Sequence, residues 1–323
     1  FILSCLSKGM AVTFSVILLL IDYLKEKKIT SSMIIEKIPF FIISLIFGYL
    51  AIKAQQSEEG IYNISAYTIG DRITFPFYSY MFYIFKMFFP VNLSVIYSYP
   101  LKPDGHIPIK YYLSVVGFII LVALVYWSLR KTKKVMFGFL FYSACISIVI
   151  QLLPVGINIA SDRYFYISSI GLLYIVGEWF GNKIDLKKMS FQSYLYMGVL
   201  AIIVLIFSIL TYSQTQVWRD SLSLWSSMLK TQQGSQNIDK AYYGVGNYYY
   251  RLSQNDSLLK VKGYEKQQII DSTIKYFRGA INANPRNEKA LNNIGNCFLN
   301  LNKMDSAYKY YNMLITVKPN FVM

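Results

Sequence analysis

The sequence predicts an all-α protein: a polytopic helical membrane domain followed by an external solenoid of helical repeats. Three observations lead there. The 323 residues are 54% hydrophobic and only 15% charged, where a soluble domain is usually about 25% charged. Several apolar stretches approach the roughly 20 residues needed to span a bilayer. Past residue 213, prolines 285 and 319 stand 34 residues apart and bracket a helical repeat.

The apolar stretches cover about 9–24, 38–54, 111–129, 135–153, 163–180 and 192–212. A further one, 74–90, is rich in aromatics (Phe75, Phe77, Tyr78, Tyr80, Phe82, Tyr83, Phe85), carries Lys86 and is flanked by Asp71-Arg72. Basic runs follow three of the stretches: Lys25-Glu26-Lys27-Lys28, Arg130-Lys131-Thr132-Lys133-Lys134, and Lys183 with Lys187 and Lys188. Short basic loops stay cytoplasmic. An even number of crossings must then separate Lys28 from Arg130, and 38–54 and 111–129 supply two. The 74–90 stretch therefore lies along the outer interface or re-enters from it, as its aromatics suit; simple spanning is the alternative. This topology puts 55–110, the loop 154–162 and everything after 212 outside, including the Asn63-Ile64-Ser65 and Asn92-Leu93-Ser94 triplets.

The net charge of +15 follows from those flanking runs and does not call for nucleic acid. One histidine and three scattered cysteines, Cys5, Cys145 and Cys297, give neither a metal-ligand set nor a disulfide framework. The chain opens on Phe1 inside an apolar run, which reads as a fragment.

The membrane domain covers 1–214 and the repeats 215–323. Leu291, Ile294, Gly295, Phe298, Ala307 and Tyr311, closed by Pro319, occupy the positions of a tetratricopeptide repeat (TPR) over 288–321. Small Gly295 and Ala307 let two helices approach; the aromatics fill the gap. An earlier copy, about 239–287, reads Tyr242, Val245, Gly246, Tyr249, Thr273, Phe277, Ala280 and Pro285. It carries a 15-residue insertion around Asn255–Lys266, read as a polar loop. Stacked repeats offer a groove for a protein or peptide partner.

Ser161-Asp162-Arg163-Tyr164 places two charges at the mouth of an apolar segment, where charges are costly and usually functional. Arg163 could hold phosphate oxygens through paired N–H donors. Asp162 could orient it, coordinate a divalent metal, or cap the helix that follows. Lys8 is a second phosphate candidate or a snorkelling cation. Tyr164, Asp71, Arg72, Lys86, Tyr97, Tyr99 and His106 are candidates for a substrate groove. The bland readings are interfacial anchors for the charges and a solvated loop for His106.

Several stretches, in order, resemble the transmembrane-and-TPR O-mannosyltransferases and their bacterial relatives among the GT-C glycosyltransferases. They are Ser7-Lys8-Gly9-Met10-Ala11-Val12-Thr13 with Leu18-Leu19-Leu20-Ile21-Asp22-Tyr23, Glu36-Lys37-Ile38-Pro39, Phe89-Pro90-Val91-Asn92 with Tyr97-Ser98-Tyr99-Pro100, Ala160-Ser161-Asp162-Arg163-Tyr164-Phe165, and Trp218-Arg219-Asp220. Ser168 stands where that family commonly has proline. The resemblance implies transfer of a sugar from a polyprenyl-phosphate donor to an extracytoplasmic acceptor, with the TPRs holding an acceptor protein and the protein sitting in a bacterial inner membrane. It implies catalytic carboxylates on a loop upstream of Phe1, so the catalytic residues are not assigned here. A second reading is a non-catalytic, membrane-anchored TPR scaffold. A ligase- or polymerase-like reading expects a large external loop with Arg and His, and 154–162 is short and lacks His.

Overall fold

The computed structural model describes residues 1–25, 30–57, 67–102, 105–150, 152, 158–187 and 189–319. Glu26-Lys27-Lys28, the Asn63 triplet, Pro103-Asp104, residues 154–157 of the 154–162 loop and Lys188 lie outside them. The chain is mostly helical. In order it forms α1 (Ile2–Ser7), a 3-10 turn (Gly9–Thr13), α2 (Phe14–Lys25), α3 (Ser31–Ser57), α4 (Ile69–Phe88), β1 (Tyr97–Ser98), α5 (Lys110–Ser128) and α6 (Lys133–Ile146). Then come β2 (Asn158–Ala160), a 3-10 turn (Asp162–Tyr164), α7 (Phe165–Gly181), α8 (Phe191–Val217), α9 (Ser221–Thr231), α10 (Ile238–Ser253), α11 (Asp256–Lys262), α12 (Lys266–Ala283), α13 (Glu288–Asn300) and α14 (Met304–Val317). The chain divides into two compact units, one of Phe1–Leu93 with Tyr97–Ser208 and one of Ser94–Ile96 with Ile209–Met323.

Among the described residues, three helices are long and apolar enough to cross a membrane: Ser31–Ala54, Lys110–Ser128 and Phe191–Val217. Six crossings were expected. The stretch at 9–24 is broken by its 3-10 turn, leaving 12 residues in α2, while α6 has 14 and α7 has 17. Each is shorter than the roughly 20 residues of a simple span. Helix α8 is apolar on every side and has no buried residue in its most apolar window. Such a helix is stable only where its surroundings are apolar too.

Within the first unit, α6 and α7 run antiparallel at very close range. Gly138 and Gly171 face each other, so that a Cβ on either would lie 2.4 Å from the other's carbonyl oxygen. Small residues permit this approach, which dispersion then rewards along both helices. At the far end of the pair, Lys134 bonds Glu178 and Lys133 lies over the Tyr23 ring of α2 at 5.1 Å. Lys37 of α3 bridges to Asp22 of α2 at 2.8 Å. The described members of the basic runs thus gather at one end of the helices.

Helix α4 lies at the opposite end. Thr68 opens it with a capping box: its hydroxyl accepts from the Asp71 amide, and the Asp71 carboxylate accepts from the Thr68 amide. Its ring contacts fall on Tyr111 and Phe118 of α5, Phe139 and Tyr142 of α6, and Phe165 of α7. Helix α4 therefore packs chiefly along α5, with Tyr80 reaching α6 and Tyr83 reaching the start of α7. Its aromatics correct the expectation of an interfacial belt in part. Phe75, Tyr80 and Tyr83 are buried in the protein core, and Phe85 and Phe88 are exposed. Burial beside tyrosine partners gives each hydroxyl a protein acceptor, which a lipid face would not.

In the second unit, α10 packs on α12 and α13 on α14 as antiparallel pairs. The expected close approaches occur: a Cβ on Gly246 would lie 2.7 Å from the Phe277 ring, and one on Gly295 would lie 2.6 Å from Tyr311. Phe277, Ala280, Leu291, Phe298 and Ala307 are buried in one cluster. Tyr249 stacks on Tyr276 at 5.7 Å. Pro285 follows the end of α12 and Pro319 the end of α14. The insertion differs from the polar loop expected. It contains α11, because Leu259 is buried against Leu252 and Ile269 and anchors the turn.

Replacing Gly171 by Ala should destabilise the protein by about 1–3 kcal/mol, since a backbone carbonyl cannot swing aside. Gly177→Ala, with open space around it, is the matched control and should be neutral or better. Thermal unfolding in detergent reads both. Equal melting temperatures for the two variants would remove the close-packing argument.

Candidate functional site

The candidate residues fall into two groups at opposite ends of α4. From Asp71 to Lys86 is about 22 Å along the axis at 1.5 Å per residue. The intervening strand β1 and the segment after it run back along α4, so that Tyr97 meets Phe82, Tyr99 meets Phe75, and Lys102 reaches Asp71.

The first group surrounds Asp162. Strand β2 pairs antiparallel with β1, matching Tyr97 with Ala160. Ser79 donates to the Ile159 carbonyl at 2.9 Å. The Tyr83 hydroxyl accepts from the Ser161 amide at 2.8 Å and donates to its carbonyl at 3.1 Å. Its ring stacks on Phe165, 5.7 Å away and 8° from parallel. The turn carrying the charges is therefore bolted to α4 before the charges themselves make any contact. Asp162 accepts from the Tyr97 hydroxyl at 3.2 Å. It does not cap the helix: Ser161 and Tyr164 hold the cap positions of the turn and of α7, neither with a side-chain cap bond. Lys86 bonds the Val91 carbonyl and sits over the Phe82 and Tyr97 rings at 5.4 and 5.8 Å. Burial lowers its pKa, and the Asp162 charge opposes that fall.

Arg163 is exposed, with its guanidinium over the Tyr164 ring at 5.1 Å and one N–H on the Tyr164 hydroxyl at 3.3 Å. Stacking fixes the plane of the fork and leaves its other donors turned outward. The arrangement is a cationic rim: Lys86 and Arg163 flank one carboxylate, and Tyr97 holds that carboxylate. It can receive an oxyanion at Arg163 and a hydroxyl at Asp162.

The second group is structural. Asp71 is only 4% exposed. Its carboxylate accepts from Lys102 at 2.7 Å, Tyr112 at 2.9 Å and the Thr68 amide at 3.0 Å. Burial alone would raise its pKa; these bonds outweigh burial and bring it down to about 2. Arg72 donates from Nε to the Tyr67 carbonyl at 3.0 Å. Tyr99 is buried against Tyr67 and Phe75. Lys8, at the junction of α1 and the first 3-10 turn, and His106 are both exposed. Reasoning from sequence missed Tyr83, Ser79, Lys102 and Tyr112. The Thr68-x-x-Asp71 spacing is a signal that could have placed Asp71 in a capping box with Thr68; the others depend on partners far along the chain.

A cleft of about 730 Å³ in the first unit lies between α4, α5 and α6 with Arg72 in its lining. A hollow of about 320 Å³ in the second unit is lined by Ser221, Trp225, Asn247, Tyr248 and Arg251 among others. Among the described residues, no three His, Cys, Asp or Glu side chains come together as a metal cluster.

A depressed carboxylate pKa adds stability that is present above the unfolded value and lost as pH falls through the folded one. Asp71 should therefore add about 2 kcal/mol that is intact above pH 4 and fades between pH 4 and 2. Asp71→Asn should lower the melting temperature at pH 7 and shrink the loss between pH 4 and 2. An unchanged acid profile in the variant would contradict this assignment.

No protein-family model matches the sequence, and no solved structure matches it. The chain is 25% identical over 172 residues to Protein O-mannosyl-transferase TMTC3 of Homo sapiens, covering 52% of this chain and 16% of the relative. The Mus musculus protein of the same name is 27% identical over the same extent. The chain spans about one-sixth of the curated relatives it matches. The finding is a distant similarity to TMTC-type O-mannosyl-transferases, and with the three apolar helices it suggests a membrane protein.

Proposed function

We propose that this chain belongs to a GT-C-type membrane glycosyltransferase that moves a sugar from a polyprenyl-phosphate donor to an extracytoplasmic acceptor. The observation that carries the reading is the Asp162 cluster, reached through a distant likeness to O-mannosyl-transferases. An outward Arg163 fork, planar on Tyr164, suits a phosphate. Asp162, polarised by the Tyr97 hydroxyl and close to Lys86, suits a positioning contact to a sugar or acceptor hydroxyl. The catalytic base stays unassigned. In this reading α4 rests in the outer interface, which suits its exposed aromatics Phe85 and Phe88 and the charges at its two ends. The membrane is a bacterial inner membrane and the second unit is extracytoplasmic.

The second unit is read as a TPR array that holds a protein or peptide acceptor. The antiparallel pairs, the glycine–aromatic contacts at Gly246 and Gly295, and the hollow beside Trp225 and Tyr248 support that role.

The test is transfer in proteoliposomes supplied with labelled polyprenyl-phosphate sugars and an acceptor peptide. Arg163→Ala should cut transfer by at least about tenfold, the loss expected for one charged contact to a phosphate, with an unchanged melting temperature. Normal transfer by this variant would remove the phosphate role. The assay uses the full-length protein with the segment preceding Phe1, and absence of transfer by it with every donor, alongside retained peptide binding, would favour the scaffold.

A further inference from the structure

We propose that the cleft between α4, α5 and α6 holds an acyl chain of an anionic glycerophospholipid, with the lipid phosphate on Arg72. The cleft occupies about 730 Å³, inside the range of small-molecule sites. One stripe of α4 forms its wall, and Phe118 and Val122 of α5 and Leu140 of α6 face that stripe. Its two serines are already engaged. Ser143 shares a bond with the Tyr80 hydroxyl at 2.7 Å and donates to the Phe139 carbonyl, and Ser147 donates to the Ala144 carbonyl at 2.9 Å. The lining therefore presents hydrocarbon and one cation.

That cation is oriented and only partly used. Arg72 spends Nε on the Tyr67 carbonyl, and a guanidinium has four further N–H donors. The neighbouring Asp71 does not offset it, because that carboxylate is taken up by Lys102, Tyr112 and the Thr68 amide. Beside Arg72 the rim carries Ile69 and Ile73, which are 76% and 58% exposed. An apolar slot that opens on an apolar rim beside a guanidinium that no carboxylate among the described residues neutralises matches a lipid chain with an anionic head. Charge complementarity selects an anionic headgroup over a zwitterionic one.

This lipid is not the sugar donor of the proposed reaction. Arg72 and Lys86 are 14 residues apart on α4, about 21 Å by helical rise, and Asp162 and Arg163 belong to the Lys86 end. One phosphate cannot serve both. The proposal stands independently of the transfer reading.

Native mass spectrometry of the detergent-purified protein tests it, with phosphatidylglycerol, phosphatidylcholine and a polyprenyl phosphate supplied at equal concentration. The unaltered protein should retain one phosphatidylglycerol, preferred over phosphatidylcholine by about fivefold, the factor a single basic residue gives near an anionic head. Arg72→Gln should erase that preference. Val122→Trp, which fills the cleft and leaves Arg72 in place, should release both phospholipids, and Arg163→Ala should change neither. Equal retention of the two phospholipids by the unaltered protein would overturn the proposal, a result that needs no variant to fold. So would an undiminished preference in Arg72→Gln, unchanged retention in Val122→Trp, or displacement of phosphatidylglycerol by the polyprenyl phosphate.

Discussion

The grip of the Tyr83 hydroxyl on both backbone groups of Ser161 is the constraint on which the α4–α7 junction of the first unit depends. A buried amide and a buried carbonyl left unpaired would each cost about 1–3 kcal/mol. One hydroxyl satisfies both, and it can do so only if α4 lies against the start of α7. The Ser79 bond to Ile159 and the β1–β2 pairing then follow from that placement. The consequence is that Asp162 and Arg163 project from a rigid turn, although they sit between β2 and α7 where a loop would ordinarily move.

The same helix separates two kinds of charge. At its N-terminus, Asp71 is enclosed by donors and by the capping box, which suits a carboxylate whose task is to stay ionised and hold the chain. At its C-terminus, Asp162 has a tyrosine and a nearby lysine, and Arg163 faces outward. Saturated charges stabilise; charges with spare donors bind. By that criterion Asp71 and Lys102 belong to the scaffold, while Arg163, and separately Arg72, are equipped to meet a ligand.

The readable parts of the sequence were those in which each residue reports on its own neighbourhood. Length and apolarity were enough for α3, α5 and α8. The spacing of Gly295, Phe298, Ala307 and Tyr311 was enough for the α13–α14 pair. The aromatics of α4 were ambiguous for a physical reason: a tyrosine suits a lipid interface and a hydrogen-bonded core equally well. Only the partners, such as Ser161 78 residues from Tyr83, decide between the two. Helix α11 was hidden likewise, because a short polar stretch becomes helical only once Leu259 has a cluster to join. Of the candidate site, the Asp162-Arg163 pair was legible as an anomaly, and its join to Lys86 and Tyr97 was not.

Partnering explains why α4 tolerates so many polar groups. Asp71 is held by Lys102 and Tyr112, Arg72 by the Tyr67 carbonyl and Lys86 by the Val91 carbonyl, so each charge near its two ends has a protein contact. Its buried face supplies tyrosine hydroxyls with backbone acceptors, as at Tyr142 with the Tyr80 carbonyl. Its other face is free to carry the apolar rim of Ile69 and Ile73. The charges of α4 therefore stand at its two tips, each fixed by a neighbouring segment, and between them the helix turns Phe75, Tyr80 and Tyr83 into the core.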